Sequence, residues 1–123
     1  PDLPATGTTI GLDRVCDVIG ELNLWPDLPK TSSKVLVTIF NQDLAQETLK
    51  IASELRKNGV NTEVYPADSE KMEKQLKYAD QKGIPYVVII GPDEASKGIV
   101  QLKNMASGEQ NKVELSNLIS ELT

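Results

Sequence analysis

Residues 34–65 read KVLVTIFNQDLAQETLKIASELRKNGVNTEVY, and this stretch decides the fold. KVLVTIF at 34–40 is β-branched and almost wholly apolar, as a strand covered on both faces must be. Leu44, Thr48, Ile51, Ala52 and Leu55 then recur at helical spacing. Asn41 or Asp43 can cap the start of that helix, and Asn58-Gly59 suits its left-handed end. VNTEVY at 60–65 is a second short strand. The unit is strand, helix, strand, and a right-handed crossover makes the two strands parallel.

Working outward, the spacing predicts a second helix over 69–83, with Ser69 as N-cap, Met72, Leu76 and Ala79 inward, and Gly83 as its end. IPYVVIIG at 84–91 is the most strand-like segment. GPDEASKG is too short for a crossover helix, so the next strand, GIVQLKNM at 98–105, runs antiparallel. ASGEQ at 106–110 is a turn, a further strand can follow, and Leu115, Leu118, Ile119 and Leu122 mark a last helix over 114–122. The expected fold is a three-layer α/β domain on a mixed, mostly parallel sheet of about five strands, its first three strands parallel and central, with helices on both faces.

Ahead of this domain, Leu12, Val15, Cys16, Ile19 and Leu22 form a helical stripe over 12–22. NLWPDLPKTSS at 23–33 carries two prolines and no periodicity, and reads as a linker with Trp25 tucked against a neighbouring surface. The divisions are thus 1–22, 23–33 and 34–123.

The chain of 123 residues has a net charge of −5, no histidine and a single cysteine, Cys16. No intrachain disulfide is possible, a zinc site is not expected, and Cys16 reads as a small core residue. The longest apolar run is too short to span a bilayer, and the N-terminus has no basic region before an apolar core. These features read as a cytoplasmic protein with no membrane association. The acidic balance argues against a general nucleic-acid or DNA-binding surface. Residues 71–112 are the exception, with seven lysines against five acids. A local excess of this size suits a small, specific anionic contact, or simply a solvated lysine face.

No glycine-rich phosphate loop, nucleophile elbow or general-base histidine occurs within 34–123. That part reads as a binding module. Ligands of open α/β sheets gather at the carboxyl ends of strands, which here include Phe40-Asn41-Gln42, Tyr65-Pro66 and Gly91-Pro92-Asp93-Glu94. Lys71, Lys74 and Lys77 lie three apart on the second helix, away from Met72 and Leu76. If the fourth strand lies beside the third, Lys103 and Glu94 share a neighbourhood. Lysines would take phosphates, and a carboxylate can accept hydrogen bonds from the edge of an unpaired base. Glu94 can equally cap a turn. Gln75 and Gln110 can read a base too, though glutamine is common on any surface. Arg14, in the first turn of its helix, can grip a phosphate or pair with Asp13 or Asp17.

Together these segments resemble a known family. PATGTTIGLDRVCDVIGELNL at 4–24 is similar to the third signature motif of class II aminoacyl-tRNA synthetases, in the form closest to the histidyl enzymes. QLKYADQKGIPYVVIIGPDE at 75–94, followed by KNMASGEQ at 103–110, is similar to the anticodon-binding domain of those enzymes. The resemblance implies a longer enzyme that joins histidine to tRNA(His) using ATP with Mg2+, working as a homodimer. It places Gly11 and Arg14 at the ATP site, Arg14 on the phosphates. It matches Glu94 to the acidic position of a G-x-x-E loop, Lys103 and Lys77 to basic positions, and Gln75 and Gln110 to recurring stretches that contact the anticodon. Pro92 in GPDE departs from the usual form of that loop. The resemblance also implies that the catalytic sheet which would cover the 12–22 stripe lies upstream of Pro1. This chain by itself would then neither activate histidine nor hold ATP, and its uncovered helix would favour pairing with a second copy. Two other readings remain for the α/β domain: an interaction module of a regulatory or polymerase-accessory protein, and a flavodoxin-like domain that binds a small anion at the helix start after Phe40.

Overall fold

The computed structural model describes residues 2–67 and 70–123. In chain order it contains α1 (Leu12–Glu21), β1 (Val35–Val37), a 3-10 turn (Gln42–Leu44), α2 (Ala45–Lys57), β2 (Thr62–Val64) and α3 (Met72–Lys82). β3 (Tyr86–Ile89), α4 (Pro92–Lys97), β4 (Ile99–Asn104), β5 (Gln110–Glu114) and α5 (Leu115–Leu122) follow. The strands form one sheet in the order β2-β1-β3-β4-β5. β1 pairs in parallel with β2 and β3, while β4 is antiparallel to both β3 and β5. Four strands therefore run one way and β4 alone opposes them, which is the mixed, mostly parallel sheet expected. One detail differs: β2 is an edge strand, so only β1 and β3 of the parallel set are central.

The order of β2, β1 and β3 sets the layers. The chain steps from β1 out to β2, then returns across β1 to β3. Two right-handed crossovers in opposite directions place α2 and α3 on opposite faces. Alternation along the strands supplies both faces. Val35, Val37, Val88 and Val100 meet Ile51, Ala52 and Leu55 of α2 and Leu118 and Leu122 of α5. Leu36 and Val87 meet Ala79 of α3, with Ile84 beside them.

Helix ends follow local chemistry. The Asn41 Oδ1 accepts from the Leu44 N–H at 3.0 Å, so Asn41 is the cap at the start of the α2 segment. At the far end Gly59 adopts φ 79°, a conformation that a side chain would strain. α3 begins at Met72 with Lys71 in the N-cap position, and the expected cap Ser69 lies outside the described residues. Residues 92–97, expected as a loop, form the short helix α4. Pro92 at its first position has no N–H to leave unpaired there.

No residue of α1 is buried. Leu12, Val15 and Leu22 are exposed, Cys16 and Ile19 are half-buried, and the Trp25 indole turns back toward Gly20. The end of the linker is tied down more firmly. Asn61 Nδ2 donates to the Ser32 carbonyl at 3.0 Å, and the Ser33 hydroxyl donates to Glu63 at 3.2 Å. The Glu63 carboxylate also accepts from the Tyr78 hydroxyl and from Lys82 Nζ at 2.9 Å. Among the described residues, no helix is long and apolar enough to cross a membrane.

Candidate nucleic-acid interface

The face of the sheet that α3 covers at β1 and β3 continues onto β4 and β5 as a polar surface. Antiparallel partners share a face. Lys103 is opposite Val87, and Gln101 is opposite Ile89. On the next strand, Lys112 is opposite Gln101, and Gln110 is opposite Lys103. Gln110 and Lys112 are exposed, and Gln101 and Lys103 are half-buried. α5 packs on the other side, where Leu118 and Leu122 join the core.

Glu94 borders this surface from the first turn of α4. Its Oε1 accepts from Gln101 Nε2 at 2.6 Å, and Gln101 Oε1 in turn accepts from Gln110 Nε2. The three side chains form a relay that runs from β5 across β4 to α4. Hydrogen bonding from Gln101 holds the Glu94 carboxyl below the usual carboxylate range. Its own backbone N–H, the charge of Lys112 and the Gly91 N–H add to this against a desolvation that opposes it. A Cβ on Gly91 would collide with Glu94 Oε2, so glycine there lets the carboxylate fold back on the helix start. Glu94 thus stands at the third position of α4, close to the helix N-terminus where a negative charge is favoured, and presents an anionic acceptor at the sheet surface.

This geometry brings together Glu94, Lys103 and Gln110 from the sequence reading. It separates the others. Gln75 is fully buried, and its amide is committed to the protein. Oε1 accepts from the Ile39 N–H at 2.9 Å, and Nε2 donates to the carbonyls of Ile39 at 2.7 Å and Glu70 at 2.9 Å. Gln75 is therefore a structural clamp between α3 and the end of β1, and it is withdrawn from the base-reading set. Lys77 stands exposed on α3, on the side of the helix away from buried Gln75 and Ala79. Gly11 and Arg14 lie together on α1, with the Arg14 side chain against Gly11, outside the sheet surface altogether. The helix start after Phe40 is occupied by the Asn41 side chain, which weakens the case for a small-anion site there.

Two members of the surface escaped the sequence reading, Gln101 and Lys112. Their signal is strict alternation with Lys103 and Gln110, legible once β4 and β5 are paired in register. The set offers an ionised carboxylate that accepts, amides that do both, and two lysines that neutralise phosphate. Such a set suits the unstacked bases and backbone of a nucleic-acid loop.

Comparison with known proteins gives the family. Residues 34–123 match the family model described as an anticodon binding domain. The histidine–tRNA ligase of Cytophaga hutchinsonii is 41% identical over 122 residues, which is 99% of this chain and 27% of that protein. The histidine–tRNA ligase of Bacteroides fragilis is 39% identical over 117 residues, covering 95% of this chain and 26% of its own length. This chain thus spans about a quarter of the length of these relatives. The crystal structure of histidyl-tRNA synthetase from Nostoc sp. PCC 7120 superposes with a TM-score of 0.76 at 34% identity, over 92% of this chain and 27% of that one. The RNA-binding domain of threonyl-tRNA synthetase from Cryptosporidium parvum has the same fold, with a TM-score of 0.70 at 18% identity over 77% of this chain and 24% of that one. Sheet order, polar face and family match converge, and the chain belongs to the anticodon-binding-domain family.

Proposed function

We propose that this chain is the anticodon-reading part of a histidine–tRNA ligase, and that it reads the tRNA(His) loop on the open face of β4 and β5. The observation that carries the reading is the Gln110–Gln101–Glu94 relay with Lys103 and Lys112 on the same face. Glu94 accepts from the N–H edge of an unpaired base, and the lysines hold the phosphates on either side. Lys77 adds a phosphate contact from α3. The similarity to histidine–tRNA ligases extends through residues 1–33 and so favours this reading over an interaction module of a regulatory or accessory protein.

Catalysis belongs to the longer protein. In it, ATP with Mg2+ would supply the activating chemistry, and two subunits would pair, in the cytoplasm, where tRNA is charged. Gly11 and Arg14 are the residues here that would face ATP. Arg14 stands exposed on α1 with its side chain against Gly11, and the rest of such a site would come from the longer protein.

The test is a fluorescence titration of this chain with the tRNA(His) anticodon stem-loop and with the same stem-loop carrying exchanged anticodon bases. Tighter binding to the native loop is expected, and it weakens as salt rises. Equal affinity for both loops contradicts the proposal and favours the interaction-module reading.

A further inference from the structure

Phe40 is the only phenylalanine in the chain, and its ring is 50% exposed at the carboxyl end of β1. A single exposed apolar side chain is ordinary and carries no argument by itself. Its setting does. The residue before it is clamped, because the Gln75 amide bonds both the N–H and the carbonyl of Ile39. The residue after it is extended, and its side chain is spent on the helix start. One residue further back, the Thr38 carbonyl accepts from Thr48 Oγ1 at 3.2 Å. The backbone on either side of Phe40 is thus held while its ring faces solvent.

Register gives the ring its neighbours. Val37 pairs with Val88 in parallel strands, and the Thr38 N–H donates to the Val88 carbonyl at 3.0 Å. β1 ends at Val37 and β3 at Ile89, so Phe40 and Gly91 both lie in the segments that follow the carboxyl ends of these paired strands, and the Glu94 carboxylate is folded against Gly91. The strands that lead there carry Leu36 and Val87 on the face that also bears Gln101 and Lys103. On the other flank, the Gln75 clamp draws in the start of α3, where Lys71 and Lys74 are exposed.

We propose that Phe40 is a stacking platform for one unpaired base of the bound RNA loop, set between the lysine-bearing start of α3 and the Glu94 acceptor. This rests on the anticodon reading above. A base whose edge is read by a carboxylate has left the stack of its loop and lost that stacking energy. An aromatic face held in place restores it, and does so for any base, leaving discrimination to Glu94.

The test pairs protein variants with loops that lack a base. This chain and its Phe40→Ala, Phe40→Leu and Phe40→Trp variants are titrated with the tRNA(His) anticodon stem-loop, and with stem-loops made abasic at each anticodon position in turn. Thermal unfolding of every variant runs alongside, and Phe40→Leu keeps apolar bulk should Phe40→Ala unfold. Phe40→Ala and Phe40→Leu are expected to weaken binding of the intact loop on the order of tenfold, and Phe40→Trp to preserve it. At one abasic position the loss on mutation disappears, because the stacked base is already gone. Variants that fold and bind the intact loop like the parent overturn the proposal. So does a loss that is the same for the intact loop and for every abasic loop. Failure of the parent chain to prefer the native loop contradicts the anticodon reading on which the proposal stands.

Discussion

Glu94 Oε1 accepts a hydrogen bond of 2.6 Å from Gln101 Nε2, across the gap between α4 and β4. Gln101 is fixed in turn by Gln110 from β5, so the direction of its amide is set and its N–H faces the carboxylate. The consequence is an acceptor that is ionised and oriented before RNA arrives, so less ordering is left for binding to bear.

Removing either end of that bond should separate specificity from affinity. Glu94→Ala is expected to reduce discrimination between native and base-exchanged loops by about 1–3 kcal/mol, while binding of the exchanged loop changes little. Gln101→Leu leaves the carboxylate but removes the first cause of its lowered pKa. The folded-state pKa is depressed, so the acceptor is present above it and lost as pH falls through it. The charge of Lys112 on β5 also acts on this carboxylate, and it stays in place in the variant. Loop binding by Gln101→Leu should therefore fail at a higher pH than binding by the parent, as titrations from neutral to acidic pH would show.

Lys103 and Lys112 are assigned to phosphate and so should act without regard to sequence. Each alanine variant is expected to weaken native and exchanged loops alike and to flatten the dependence of log affinity on log salt by about 0.7 for a single-stranded contact. A change in base preference with an unchanged salt slope would move that lysine to a base edge.

Gln75 makes the opposite prediction from a surface residue. Gln75→Leu leaves the Ile39 N–H and carbonyl without partners in a buried site and should cost about 2–4 kcal/mol of stability in urea unfolding. At temperatures at which the variant is folded, any remaining loss of RNA affinity should fall alike on native and exchanged loops, since Gln75 positions its neighbours and reads no base.

The linker end has its own electrostatic anchor. Burial pushes the Glu63 carboxyl up, but hydrogen bonds from Tyr78, Lys82 and Ser33, with the Lys82 charge, outweigh it and leave the pKa lowered. The stabilising contribution is therefore present above the unfolded-state pKa and is lost as pH falls through the folded one. Tyr78→Phe retains the edge-to-face contact with Tyr65, whose ring centroid lies 5.3 Å away, and deletes only the hydroxyl. It should cost about 1 kcal/mol at neutral pH, with the difference from the parent shrinking in acid, as denaturant titrations at the two pH values would reveal.

What was legible in the sequence followed from short-range chemistry. KVLVTIF announced a doubly covered strand, Asn41 announced its cap, and Gly59 and Gly83 announced left-handed ends, because each signal is complete within a few residues. The parallel run of the first three strands followed from crossover handedness. The edge position of β2 was missed although Thr62-Glu63-Val64 is more polar and less buried than the central strands β1 and β3. α4 was read as a loop although Pro92 and Glu94 sit at the first and third positions where helix starts favour them. Glu94, Lys103 and Gln110 were legible as residues that can meet a base or phosphate, and strand adjacency brought Lys103 near Glu94, while the place of Gln110 beside them needed the β4–β5 register. Gln75 and Gln101 show where residue type stops informing. Both are glutamines followed by Leu-Lys, yet one is sealed into the core by a clamp on Ile39 and the other faces the open sheet. That difference lies in tertiary packing and β4–β5 register, which a single strand's pattern does not contain.

The central claim is that RNA is read on the face built by β4, β5 and the start of α4. Amide chemical shifts of this chain during titration with the tRNA(His) anticodon stem-loop test it most directly, with the Gln101 and Gln110 side-chain amides followed beside the backbone. The account predicts the largest shifts at residues 91, 93, 94, 101–103 and 110–112 and at those two side chains, with little change in α5 or along α1. Shifts concentrated instead in the apolar groove between α2 and α5, at Ile51, Leu55, Leu115 and Ile119, would contradict it.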